Sequence, residues 1–240
     1  METRTALITG SAKRIGREMA LHLAKQSWNL ALHYNSSQKE AESLRDYLKA
    51  LYPQQEFTVF ACQLADESDL ESLMSRVFKL CGSVDLLINN ASVFDPGSIV
   101  KTDLSLFNHQ MDVNLKAPFI LMRDYARICK KGLIVNFLDT RITKFTSTYA
   151  AYSLSKVALA HLTQMGAWEF GPDIRVNGIA PGPSLPPLNG EANYLEDKAS
   201  KTPMKSPGGI QPILKSLDYI LDNHFLTGQI LYCDGGEQLL

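Results

Sequence analysis

Short apolar runs, too brief for helices, alternate along this chain with longer stretches whose apolar residues recur at helical spacing. That alternation constrains the fold more than any other feature. Thr5 to Thr9 is such a run, stopped by Gly10, and Ile15 to Ala24 then sets Ile15, Met19, His22 and Leu23 on one helical face. The spacing predicts strand, glycine turn, helix. Asn29 to Tyr34 and Phe57 to Ala61 read as further strands, separated by a helix over Lys39 to Leu51 with Ala41, Leu44, Leu48 and Leu51 in register. Leu70 to Leu80 is helical, and Val84 to Ile88 and Leu133 to Leu138 are apolar on both faces, as strands of a sheet covered on both sides must be. A helix over Tyr149 to Glu169, a strand over Ile174 to Ile179 and a last strand over Ile230 to Cys233 complete the series. With short connections, this order predicts an α/β fold: one Rossmann-type domain over 1–240, a doubly wound parallel sheet of about seven strands with helices on both faces.

Composition removes several alternatives. With 45% hydrophobic residues and 24 basic against 25 acidic side chains, the chain has the balance of an ordinary globular protein, which disfavours disorder and a basic nucleic-acid binder. No apolar run approaches the ~18 residues of a membrane span, and Met1-Glu2-Thr3-Arg4 lacks a secretory layout, so a cytoplasmic location away from membranes is expected. Cys62, Cys81, Cys129 and Cys233 are too scattered for a metal clip or a disulfide frame and read as buried thiols, with no metal site. Seven of the eleven prolines fall within 181–212, and so proline-rich a loop in a compact domain reads as either a disordered insertion or, the favoured reading, a lid over a substrate, ordered by ligand.

Thr9-Gly10-Ser11-Ala12-Lys13-Arg14-Ile15-Gly16 lies where the first strand passes into the first helix. Amides at a helix start favour an anion there, and glycine lets a phosphate approach the backbone. A dinucleotide is the natural ligand of such a turn. The second strand ends His33-Tyr34-Asn35-Ser36-Ser37 with no acid before Glu40, so a ribose phosphate meets no repulsion, while Lys13, Arg14 and the serine hydroxyls attract it. NADP is therefore favoured over NAD. Farther on, Tyr152 and Lys156 stand four residues apart on one helical face. Lowering a phenol from its ordinary ~10 to ~7 requires about 4 kcal/mol, which a cation ~4 Å away in an effective dielectric of ~20 supplies.

Thr9-Gly10-x-x-x-Arg14-x-Gly16, Asn89-Asn90-Ala91-Ser92, Asn114, Tyr152-x-x-x-Lys156 and Pro181-Gly182 together resemble the short-chain dehydrogenase/reductase family along essentially the whole chain. The resemblance implies Tyr152 as proton donor, Lys156 gripping the nicotinamide ribose and lowering the tyrosine pKa, Asn114 in a water relay, and Asn90 lining the cofactor groove. It implies a groove completed by Gly10, Lys13, Arg14, Ile15, Gly16, His33, Tyr34, Ser36, Ser37, Gln63, Leu64, Ala91, Ser92, Pro181, Gly182 and Ser184. A homotetramer built partly on the helix of Tyr152 and Lys156 is implied as well.

Two departures from the family pattern sharpen the reading. Thirteen residues before the tyrosine, where the family usually has a serine, stands Asp139. A carboxylate opposes the oxyanion that develops in ketone reduction but helps a nitrogen that gains a proton when a C=N bond is reduced. Alternatively, Asp139 caps a loop while Thr140 or Thr143 takes the serine's place, or a protonated Asp139 acts as donor. The second departure is Arg14, at a position that is glycine in most of the family. With Lys13-Arg14-Ile15-Gly16, Leu32-His33-Tyr34, Asn90-Ala91-Ser92-x-Phe94 and Asp139, the chain is similar to the pteridine reductase branch. This similarity implies a pterin stacked between nicotinamide and Phe94, contacts from Arg14 and Ser92, and proton transfer by Asp139 with Tyr152. The expected activity is NADPH-dependent reduction of a dihydropterin such as dihydromonapterin, dihydrobiopterin or dihydrofolate. A reductase of 3-oxoacyl thioesters is the enzymatic alternative, and an NADP-binding redox sensor without turnover the non-enzymatic one.

Overall fold

The structure, a computed structural model, describes residues 4–186 and 193–240. Seven parallel strands form one sheet: β1 (Thr5–Ile8), β2 (Asn29–Tyr34), β3 (Phe57–Ala61), β4 (Leu86–Asn89), β5 (Gly132–Phe137), β6 (Ile174–Pro181) and β7 (Ile230–Cys233). Their spatial order is β3-β2-β1-β4-β5-β6-β7. The chain winds outward one way from β1 and then returns to β4, so the strand order reverses between β1 and β4. The carboxyl ends of those strands open a crevice where ligands bind in such sheets.

Alternation along each strand feeds two cores. Ala6, Ile8, Leu86, Ile88, Leu133 and Val135 point to one face, where they meet α1 (Arg14–Lys25), α2 (Gln38–Leu51) and, later in the chain, a helix over Gln211–Asp222. Leu7, Leu87 and Ile134 point to the other, against α3 (Glu67–Cys81) and the segments that follow β4 and β5. Both faces are therefore dry, which is why these strands carry uninterrupted apolar runs.

The periodicity over 90–131 left the connection from β4 to β5 unassigned. The structure fills it with α4 (Leu104–Met111), a π-helical turn (Asp112–Lys116) and α5 (Ala117–Ile128). Asp103 starts α4 by accepting from Leu106 N at 2.8 Å. The apolar residues of this stretch serve several partners at once and so follow no single stripe. After β5 comes α6 (Ala150–Phe170), one residue displaced from the expected span, and then α7 (Tyr194–Ala199) and α8 (Gln211–Asp222). The expected lid over 181–212 thus contains a short helix, and the part of it over 187–192 lies outside the described residues. The reading of four buried thiols needs correction: Cys62 is buried, whereas Cys81, Cys129 and Cys233 are only half-buried. No helix among the described residues is long and apolar enough to cross a membrane.

Candidate active site

The phosphate turn is held from below by a histidine. His33, at the end of β2, accepts from Gly10 N through Nδ1 at 3.0 Å and pairs its Nε2 with Cys62 O at 3.0 Å. Those two bonds require the neutral ring protonated on Nε2. Burial agrees, pulling the His33 pKa from 6.5 to about 4. His33 thus braces the turn with both nitrogens occupied, instead of offering one to a phosphate. Thr9 Oγ1 accepts from Asn90 N and Ala91 N at 2.9 and 3.0 Å, and Asn90 Nδ2 donates to Thr9 O and Gly10 O at 2.9 and 3.1 Å. β1 and β4 are in this way clamped together under the crevice.

Glycine is required at both ends of the turn. Gly10 has φ +63°, and a Cβ on Gly16 would collide with the Gly10 carbonyl oxygen and come within 2.8 Å of Asn90 Nδ2. The groove above has a volume of about 460 Å³ and runs from Gly10, Lys13, Arg14, Ile15 and Gly16 past Tyr34, Ser36, Ser37, Gln63 and Leu64 to Asn90, Ala91 and Ser92. Its length, its glycine floor and the free start of α2 beside Ser36 and Ser37 fit a dinucleotide.

Both cations expected at this end line the groove and already have partners. Lys13 is not free: its Nζ lies 2.8 Å from Glu40 Oε1 and holds that carboxyl below its ordinary range. An acid therefore stands in the first turn of α2, beside a lysine of the phosphate turn. Arg14, at φ +53°, turns its guanidinium to Pro186 O at 2.8 Å and ties the turn to the loop after β6.

At the other end Asp139 leaves β5 and divides its two oxygens. Oδ1 accepts from Arg141 N at 2.8 Å and caps the 3₁₀ turn Thr140–Thr143, while Oδ2 accepts from Tyr152 OH at 2.7 Å. The capping role and the role beside the tyrosine, posed as alternatives from sequence, coexist. Neither threonine replaces the family's serine. Thr140 Oγ1 donates to Glu237 Oε2 at 3.1 Å, and Thr143 Oγ1 donates to Thr140 O and Gln238 O at 3.0 and 3.2 Å.

Lys156 is buried one turn beyond Tyr152 and donates from Nζ to Phe137 O at 2.8 Å; burial lowers its pKa to about 8. Its Nζ lies 5.8 Å from the Tyr152 ring centroid, whereas the Asp139 carboxylate is 2.7 Å from the phenol oxygen. At an effective dielectric of ~20 a carboxylate in hydrogen-bond contact opposes a phenolate by about 6 kcal/mol, while the Arg141 guanidinium draws the other way. Burial adds to the repulsion, and the Tyr152 pKa is raised. The Asp139 carboxylate in contact with the phenol thus opposes the acidity expected from Lys156.

Asn114 sits in the π-helical turn with its amide fully engaged. Oδ1 accepts from Ser92 Oγ and Val93 N at 3.0 and 2.9 Å, and Nδ2 donates to Val93 O, Gln110 Oε1 and Ser155 Oγ at 3.0, 3.0 and 3.2 Å. Its side chain fixes the segment that carries Ser92 and Phe94. A water relay at this residue would have to use the backbone.

Phe94 stacks on Tyr149 with centroids 4.1 Å apart and meets Tyr152 edge-on at 4.6 Å. Phe94, Tyr152, Asp139, Lys156, Pro181, Gly182 and Ser184 border a cavity of about 310 Å³ that Arg14, Ile15, Asn90 and Ser92 join to the cofactor groove. Ser184 is itself buried and donates to Gly182 O at 2.9 Å. Tyr149, Arg141, Lys198 and Glu237 also border the cavity or its aromatic wall and were not singled out from sequence. The stack on Phe94 is a tertiary event with no local pattern, although Arg141, two residues past Asp139, lay within reach of inspection.

A glycine-turned dinucleotide groove continuous with a buried Tyr-Lys pair defines a nucleotide-dependent oxidoreductase scaffold. The family model described as enoyl-(acyl carrier protein) reductase matches residues 10–238, and the chain belongs to the short-chain dehydrogenase/reductase family. Among curated relatives, dihydromonapterin reductase of Escherichia coli O6:K15:H31 is 27% identical, covering 97% of this chain and 96% of its own. Among solved structures, FolM alternative dihydrofolate reductase 1 from Brucella suis, in complex with NADP, is 32% identical with a TM-score of 0.92, covering 99% of this chain and 96% of its own. A blue fluorescent protein from a metagenomic library, in complex with NADPH, is 25% identical with a TM-score of 0.89, covering 97% of each chain.

Proposed function

We propose that the protein is an NADPH-dependent reductase that delivers hydride to a ring C=N bond of a dihydropterin, giving the tetrahydro form. The observation that carries this reading is the 2.7 Å contact between Asp139 Oδ2 and Tyr152 OH beside a cavity walled by Phe94. NADPH, when bound, supplies the hydride. Gly10, Gly16, Ser36 and Ser37 would hold its phosphates, Asn90, Ala91, Pro181 and Gly182 would border its path, and Lys156 would bind the nicotinamide ribose.

The remaining chemistry belongs to side chains. An oxyanion formed ~3 Å from Asp139 would meet a penalty of about 5 kcal/mol at an effective dielectric of ~20, and a protonated ring nitrogen at that distance gains a similar amount. Tyr152, kept a neutral phenol, would give its proton to the ring nitrogen while a solvent proton relayed through Asp139 replaces it on the phenol oxygen, so that no phenolate stands beside the carboxylate. Phe94 offers an aromatic face to a flat heterocycle, while Ser92 and Arg14 stand at its edge. Dihydromonapterin, dihydrobiopterin and dihydrofolate all carry this ring.

The discriminating assay follows NADPH oxidation with a dihydropterin and, separately, with an acetoacetyl thioester. A higher kcat/KM for the dihydropterin is expected, and preference for the thioester would overturn the reading. Steady turnover of either removes the sensor alternative. The reaction's small-molecule substrate and cofactor suit a cytoplasmic enzyme. The exposed Leu154, Val157, Met165 and Trp168 of α6 support a homotetramer, which light scattering of the eluted protein tests.

A further inference from the structure

Building on the proposed pterin site, we infer that the natural substrate carries an anionic oxygen group on its side chain, received by Arg141 with Lys198 at the outer end of the cavity. The charges lining this cavity do not balance. Arg14, Arg141, Lys156 and Lys198 face Asp139 and Glu237. Of the cations, Arg14 is spent on Pro186 O and Lys156 on Phe137 O, both at the cofactor side. Of the acids, Asp139 is engaged by Tyr152, and Glu237 accepts from Lys144 Nζ at 2.9 Å and from Thr140.

Arg141 and Lys198 remain. Among the described residues neither forms an ion pair, and each is steadied by aromatic rings alone: the Arg141 guanidinium lies 4.8 Å from the Tyr149 centroid and 5.4 Å from that of Phe94, and Lys198 Nζ lies 5.9 Å from that of Tyr194. A guanidinium stacked on a ring keeps its in-plane donors directed outward, in the fork that suits a carboxylate or a phosphate. Phe94, the ring expected to cover the pterin, is the ring beside Arg141. A heterocycle lying on Phe94 therefore projects its substituent toward that fork, with Lys198 approaching from α7. A neutral polyol side chain would leave the half-buried Arg141 without a counter-charge.

Three dihydropterins test this under one set of conditions: dihydrobiopterin with a neutral side chain, dihydrofolate with a carboxylate tail, and dihydroneopterin monophosphate. At low ionic strength at least one anionic substrate is expected to exceed dihydrobiopterin about tenfold in kcat/KM, mainly through KM, the scale of one charge-assisted hydrogen bond. Which of the two does so identifies carboxylate or phosphate as the source. In Arg141→Gln that ratio should fall at least fivefold, Arg141→Lys should retain most of it, and added salt should erode it in the native protein. Because the readout is a ratio within one protein, damage common to all substrates cancels. Equal kcat/KM for neutral and anionic substrates, or a ratio untouched by Arg141→Gln, overturns this inference and leaves the pterin reading intact. Absence of turnover with all three overturns both.

Discussion

Exchanging Asp139 for asparagine or serine tests the charge on which the substrate reading rests. Both replacements retain an oxygen able to accept from Arg141 N, so the cap on the 3₁₀ turn survives and the fold should hold. What is lost is a negative charge in contact with the phenol oxygen, worth about 5 kcal/mol to a full unit charge on a ring nitrogen ~3 Å away at an effective dielectric of ~20. If about half of the positive charge on nitrogen has developed in the transition state, about 3 kcal/mol of stabilisation disappears. At ~1.36 kcal/mol per tenfold, kcat for a dihydropterin falls by about 10². The Tyr152 pKa should also fall, since Asp139 contributes two of the three effects that raise it. Steady-state NADPH oxidation from acid to alkaline pH reads both consequences, and a carbonyl substrate measured in parallel should lose much less. An effect under threefold on dihydropterin turnover, with unchanged melting, would refute the reasoning and leave Asp139 as a cap.

His33 must stay neutral to hold the phosphate turn. With a folded pKa of about 4 against 6.5 unfolded, the unfolded chain binds more protons between those values, so stability is complete above ~6.5 and declines as pH falls toward ~4. The loss is about 3 kcal/mol, and denaturant midpoints of His33→Gln should lack that segment of the pH dependence. Lys156 acts in the alkaline window with the same sign: its pKa near 8 lies below the unfolded 10.5, so apo stability rises with pH between them, and equilibrium unfolding across that range checks it. Glu40→Gln releases Lys13 and removes an acid from the ribose-phosphate end, so KM for NADPH should drop severalfold at low salt; an increase would place Lys13 outside the cofactor site. Gly16→Ala should abolish NADPH-induced thermal stabilisation, because its methyl meets the Gly10 carbonyl, which is backbone and cannot swing aside.

The succession of strands and helices was legible because both faces of the sheet are buried, and burial on both sides writes unbroken apolar runs into β1, β4 and β5. Gly10, Gly16, Tyr152 and Lys156 were equally legible, since a tight turn and a single helical face are local constraints. Only the tertiary structure decided what those residues meet. Lys13 found Glu40, Arg14 found the loop after β6, Asn114 spent its amide on Ser92 and Val93, and His33 became a brace. Tyr149 joined Phe94 from 55 positions away. The phenol's acidity shows the division most plainly. Spacing along one helix set Lys156 beside it, but the charge in contact with its oxygen came from Asp139 in the turn after β5, and Coulomb energy follows separation in space, to which separation along the chain is no guide.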